Sequence, residues 1–296
     1  MHSDNMSDQA AGLRRLLARA SIRVVTVAGA RRGLGVTSLV VNLAARLAAG
    51  GKDVLVLDEN LAPHNVANTL ALKPRFDLLH AVRGDRSLRE VILTPAQGVH
   101  VLPMARAMQE LPRLGAAERE QLLGCLGEAA HSMDVVLVDG SPQEGRFVSG
   151  SLAPEQPLLL VANVTAAAIT ESYALIKRMA LLEGRRSFEI VVNKARNAAK
   201  ARAVYDNLAQ VARQHLGVRV QYLGYIPVDE KLKRATQLCR SVVEAFPQAP
   251  AAHAYAELER NLMSLPAAGD EETGGLSHVL QRLIQQAHTQ NLAHAI

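Results

Sequence analysis

Residues 28–38 read AGARRGLGVTS. The run before them, 22–28, is rich in β-branched residues, and 37–49 carries apolar residues at helical spacing. The glycines therefore fall where a strand hands over to a helix. Gly33 and Gly35 allow a tight turn, expose backbone N–H groups to an anion, and abut the positive end of the following helix. Arg31, Arg32, Gly33, Leu34, Gly35, Val36, Thr37 and Ser38 are thus the candidate phosphate-binding residues. A phosphate-binding loop of this kind carries lysine before its Thr or Ser, and here that position is Val36. Anchoring a phosphate needs little more than the backbone, whereas hydrolysing one needs the missing cation.

Working outward, apolar strand-like runs occur at 22–28, 53–57, 99–103, 135–138, 157–161, 189–192 and 222–226, with helical patterns between most of them. Continuous rather than alternating Val/Leu/Ile runs indicate strands buried on both faces of a mostly parallel sheet, joined by crossover helices. The expected fold is α/β, a doubly wound sheet with flanking helices. Ligands in such sheets bind beyond the carboxyl ends of the strands, which here carry Gly29, Asp58, Asp139 and Asn193. These residues are expected to share one crevice.

Composition narrows the classes. With 296 residues, 49% hydrophobic and 21% charged, the chain can bury one substantial core with appendages. Cys125 and Cys239 are far apart, which argues against a disulfide framework or a cysteine metal site. The ten histidines show no ligand pattern. The first nine residues contain acids and no apolar stretch, and no later run approaches a membrane span, so a cytoplasmic location is expected. A net charge of +5 with 3% aromatics offers no stacking platform, which disfavours direct nucleic-acid binding. The core is expected at 21–265. Before it, 1–20 reads as a helix capped by Ser7 with Leu13, Leu16 and Leu17 on one face. After it, 266–296 reads as a flexible linker and an amphipathic helix striped by Leu276, Leu280, Leu283, Ile284 and Ala287.

Two enzyme-like readings compete for the loop. GARRGLG, followed by an aspartate at the second strand's end, is similar to the cofactor loop of NAD(P)-dependent short-chain dehydrogenases, and Tyr173 with Lys177 has the spacing of that family's proton-transfer pair. The rest of that family's pattern is missing: no Asn-Asn-Ala-Gly-like strand end lies near 99–104, and Leu160 stands where its serine would be. The second reading covers more of the chain. DQAAGLR at 8–14, VLVLDENLAPHNVANTLAL, VVLVDGSP, ITESYALIK, VVNKAR, YLGYIPVDEKLKRA and VVEAFPQAPAAHAYAEL follow one another as in the MinD/ParA superfamily of deviant P-loop ATPases. Within it, the DQAxxLR segment resembles the FlhG/FleN type that controls flagellar number and placement.

That resemblance implies ATP or ADP with Mg²⁺, held by Thr37 and Asp139, with Asn193 at the adenine base. It implies two loop lysines on phosphate, where this chain has Arg31 and Val36, and an Asp-x-Asp switch, where it has Asp58, Glu59 and Asn60. An amide cannot take a proton from water, so the catalytic set Asp58/Asn60 reads as degenerate and turnover is expected to be slow or absent. The resemblance further implies that Asp8, Gln9 and Arg14 stimulate a partner, the SRP-type flagellar GTPase FlhF, and that a flagellar transcription regulator is a second partner. It also implies an ATP-dependent homodimer, and a C-terminal helix that docks on the core or reaches the inner face of the cell membrane.

Overall fold

The computed structural model describes residues 22–140, 142–143, 146–147 and 156–266. The helix and partner residues expected at 1–20, and all but Pro266 of the linker and helix expected at 266–296, lie outside them. The described strands are β1 (Arg23–Gly29), β2 (Val54–Asp58), β3 (Leu93–Ala96), β4 (Val99–Pro103), β5 (Val135–Asp139), the hairpin pair β6 (Pro142–Gln143) and β7 (Arg146–Phe147), β8 (Leu158–Asn163), β9 (Ser187–Ala195) and β10 (Arg219–Pro227). The helices are α1 (Val36–Ala49), α2 (Val66–Thr69), α3 (Leu78–Val82), α4 (Leu88–Val91), α5 (Ala105–Glu110), α6 (Ala116–Ala130), α7 (Ala166–Leu182), α8 (Ala198–Leu216), α9 (Glu230–Gln237), α10 (Val242–Ala245) and α11 (Pro250–Met263).

Eight strands form one sheet in the order β10-β9-β8-β1-β5-β2-β4-β3. Every pairing is parallel except that of the edge strand β3 with β4. All seven sequence runs are strands, with ends that differ by a few residues. β3 was not legible, because LTPA is half exposed and holds a proline, as an edge strand tolerates. Successive residues of β1 face opposite layers. Val25 and Val27 pack with Leu39, Leu43, Tyr255 and Leu258 of α1 and α11, while Val24 joins Leu55, Val136, Leu122 and Leu126 on the other side. Ala28 and β8 and β9 meet Leu175, Ile176 and Leu208 of α7 and α8.

The C-terminal helices hold α1 in place. Asn42 accepts from the N–H of Val242 at 2.7 Å through Oδ1, and Arg46 Nε pairs with Glu259 at 2.6 Å. Both cysteines are free, Cys125 buried and Cys239 partly so.

Gly35 is the N-cap of α1, at φ 94°, and no side chain caps the first turn. A Cβ on Gly35 would collide with the amide of Asn193, whereas one on Gly33, at φ 83°, would meet nothing within 4 Å. Both conformations disfavour a side chain, and at Gly35 a steric clash is added. Gly33→Ala is expected to cost about 1 kcal/mol and Gly35→Ala clearly more, read by denaturant unfolding of the two variants beside wild type.

Candidate phosphate and metal site

The loop between β1 and α1 lies at the carboxyl edge of the sheet and is anchored from three directions. Leu34 is buried, its side chain in the core and its carbonyl accepting from Asn193 Nδ2 at 2.8 Å. Val36 packs against the core, and a Cβ on Gly29 would lie only 2.9 Å from its Cγ2. Ser38 lies in the first turn of α1, where its carbonyl accepts from Asn42 Nδ2 at 2.7 Å. Arg32 is exposed, and Arg31 pairs with Glu171 of α7 at 2.6 Å, both half exposed.

On the β5 side, Thr37 Oγ1 donates to Asp139 Oδ2 at 2.8 Å. Asp58 and Asp139 are partners in register at the ends of the adjacent strands β2 and β5, at 1% and 0% exposure. Asp58 accepts from the N–H groups of Asn60 at 3.1 Å and Val66 at 2.8 Å. Burial nevertheless pushes its carboxyl up to about 6, against those backbone bonds. Asp139 is raised well above the usual carboxylate range, by burial first and by the charge of Asp58 next, with the Thr37 bond opposing and buried Glu59 adding to the rise. Asn60 Nδ2 donates to the backbone carbonyl of Asp139 at 3.0 Å, so its amide braces the two strands.

Asp139 Oδ1 is buried and has no hydrogen-bond partner. An orphaned acceptor between crowded carboxylates is what a hard cation relieves, so the residues fit Mg²⁺, with Thr37 and Asp139 to hold it and Asp58 beside them. No three His, Cys, Asp or Glu side chains among the described residues form a cage, so the rest of an Mg²⁺ shell would be phosphate and water.

On the opposite side of the loop, Asn193 is buried at the β9 end, its Oδ1 accepting from the N–H of Lys194 at 2.8 Å. Its amide is therefore engaged with the loop and with its neighbour, leaving one N–H and one lone pair for a base. Lys194 Nζ donates to the carbonyl of Gly33 at 3.1 Å. Sequence reasoning missed Lys194 and Glu171, since only the folded chain shows which partners they have. Tyr173 packs against the α7–α8 layer and Lys177 is exposed.

A strand, a glycine loop and a helix, with two buried carboxylates across the sheet, define a P-loop nucleotide-binding protein. The AAA domain family matches residues 22–190, more than half of the chain. The antiactivator FleN of Pseudomonas aeruginosa is 32% identical over 268 residues, covering 90% of this chain and 95% of its own. The flagellum site-determining protein YlxH of Helicobacter pylori is 25% identical over 218 residues, 73% of each chain. The septum site-determining protein MinD of Pyrococcus horikoshii, solved with Mg-ADP, superposes with a TM-score of 0.62 at 20% identity, covering 82% of this chain and 96% of that one. The chain belongs to the MinD/ParA superfamily of P-loop ATPases, in its FleN/FlhG branch. ITESYALIK lies within α7, and membership of this superfamily stands against the dehydrogenase reading of Tyr173 and Lys177.

The carboxylates also set a pH dependence. Asp58 titrates at about 6 in the folded chain, above its unfolded value of roughly 4, so the native state holds the proton longer. Stability conferred by this group is present below pH ~4 and falls as pH rises to ~6, by about 3 kcal/mol, and Asp139 acts in the same direction. Without nucleotide, Asp139→Asn is expected to melt several degrees above wild type at pH 8, with the gap closing near pH 4. Thermal melts across that range check this, and a gap that widens toward acid contradicts it.

Proposed function

We propose that this protein regulates flagellar number or placement by binding ATP·Mg²⁺ as a switch while hydrolysing it slowly or not at all. The observation that carries the reading is the fate of the two substituted positions. Val36 is packed against the core and has no charge to offer phosphate, and the Asn60 amide is spent on the Asp139 carbonyl. The binding parts remain: the uncapped first turn of α1, Thr37 on Asp139, and the orphaned Asp139 Oδ1. A hydrogen bond to a charged group is worth roughly 1.5–3 kcal/mol, so the loss of the loop lysine lowers nucleotide affinity about ten- to a hundredfold. Transition-state stabilisation depends on that cation more steeply.

Function then rests on contacts. In this reading Asp8, Gln9 and Arg14 in 1–20 engage the SRP-type flagellar GTPase FlhF and stimulate its hydrolysis, Gln9 and Arg14 orienting water or stabilising phosphate charge in the partner's site. A flagellar transcription regulator is the second partner, in keeping with the antiactivator name that the relative FleN carries. The protein works in the cytoplasm as an ATP-dependent homodimer. The stripe of Leu276, Leu280, Leu283 and Ile284 gives such a dimer a reversible hold on the membrane surface, through avidity rather than charge, since Arg282 is the one fixed cation of 276–287. Among the described residues no helix is long and apolar enough to span a membrane.

Isothermal titration with ATP·Mg²⁺, beside NADH and NADPH, tests the switch. Saturable ATP binding with negligible turnover is expected, and robust turnover abolished by Asp139→Ala would sink the reading. In Val36→Lys/Asn60→Asp, ATP should bind at least tenfold tighter and turnover should appear. For the N-terminal role, a peptide covering 7–20 should accelerate GTP hydrolysis by FlhF, with Gln9→Ala and Arg14→Ala each removing most of the stimulation; an inert wild-type peptide ends that role.

A further inference from the structure

Just before its last residue, β9 carries two consecutive residues whose side chains take two consecutive carbonyls of the phosphate loop. Asn193 Nδ2 donates to Leu34 at 2.8 Å and Lys194 Nζ to Gly33 at 3.1 Å. Lys194 makes its contact from a backbone φ of 56°, in the left-handed region that residues other than glycine seldom adopt. That conformation is fixed on both sides. The Lys194 N–H donates to Asn193 Oδ1 at 2.8 Å, and Ala195 is fully buried with its carbonyl accepting from Val228 at 3.0 Å. An exposed ammonium, which water would solvate well, is thus held against an uncharged carbonyl at the rim of an anion-binding loop. Left-handed backbone held by its surroundings is characteristic of ligand sites.

The position of Lys194 limits what it can touch. In the strand order β9-β8-β1-β5, the loop follows β1, the Thr37–Asp139 pair lies toward β5, and Lys194 lies toward β9. A nucleotide whose terminal phosphates meet a metal at Thr37 and Asp139 therefore directs its sugar end toward β9.

We propose that Lys194 is a phosphate-binding cation of this site, donating to the sugar-proximal phosphate of a nucleoside di- or triphosphate and replacing from β9 part of the charge that Val36 lacks. This rests on the reading of the loop as a nucleotide site. An ammonium has three N–H donors, so it can keep the Gly33 carbonyl and still take a phosphate oxygen, the stronger acceptor because it is charged. Of the other cations near the loop, Arg31 is paired with Glu171 and Arg32 is exposed.

The test is calorimetric titration of ADP·Mg²⁺ and ATP·Mg²⁺ into wild type, Lys194→Met, Lys194→Gln and Lys194→Arg, each variant also melted to establish folding. Met and Gln are expected to weaken both nucleotides by the same factor, about tenfold or more, and Arg to recover most of the loss. Gln still reaches Gly33 with a donor but has no charge, so Gln binding like wild type would reduce Lys194 to a brace for the loop and overturn the assignment. A loss confined to ATP would move the contact to the terminal phosphate, and unchanged binding in Met would remove it; each overturns the proposal while leaving the nucleotide reading intact. Wild type that binds neither nucleotide removes the nucleotide reading itself, and the assignment with it.

Discussion

Two carboxylates in register at the ends of neighbouring strands are the constraint around which this molecule is organised. The β2–β5 pairing sets Asp58 opposite Asp139, and the layers on either side of the sheet close over both. Burying a carboxylate opposes folding, and burial raises both carboxyls, that of Asp139 further through the charge of Asp58. The surroundings offset only part of this. Backbone N–H groups at Asn60 and Val66 serve Asp58, and Thr37 serves one oxygen of Asp139 while the other has no hydrogen-bond partner. A site left incomplete in this way stores binding free energy for a cation, and ties the stability of the central strands to its occupancy.

The phosphate loop sits against that pair and is held by the opposite side of the sheet. Thr37 couples it to β5, and Asn193 and Lys194 couple it to β9, so two strands flanking β1 at different removes fix one short loop. The left-handed turn at Gly35 is what lets the Asn193 amide approach, since a side chain there would occupy the same space. Backbone hydrogen bonding and steric fit thus preserve the shape of an anion cradle although its usual lysine is absent. Shape and charge are separable here: the first comes from glycines and strand ends, the second from whichever cations lie nearby.

Much of this was legible in the sequence, and what was not has a common cause. Most of the seven strands were readable because burial on both faces leaves uninterrupted apolar runs, and β10, half buried at one sheet edge, still carries YLGYI; β3, half exposed at the other edge, leaves no such run. Asp58 and Asp139 were readable as strand-end acids, but their pairing depends on β2 and β5 being neighbours, which follows from strand order rather than from either segment. Lys194 meets Gly33 across 161 positions of chain, and Arg31 meets Glu171 on a helix packed from another layer. Local pattern reveals which residues end strands; only the closed sheet reveals which ends meet. The Asn60 substitution was visible as a lost carboxylate, whereas its bond to the Asp139 carbonyl, which gives the amide a structural use, was not.

The cations around the loop differ in how readily they can be redirected to a ligand. The Arg31–Glu171 pair is close but half exposed on both sides, and exposed ion pairs contribute at most about 1 kcal/mol. The Lys194 contact is to a neutral carbonyl and is also exposed. Against either, a phosphate oxygen offers a charge-assisted bond of roughly 1.5–3 kcal/mol. Both side chains are therefore held in place by interactions weaker than those a nucleotide would give them, which is the condition for an equilibrium that ligand binding can shift. Val36 has no such alternative, because its packing against the core is permanent. The loop therefore lacks a cation at Val36 but keeps at its rim two that a ligand can redirect.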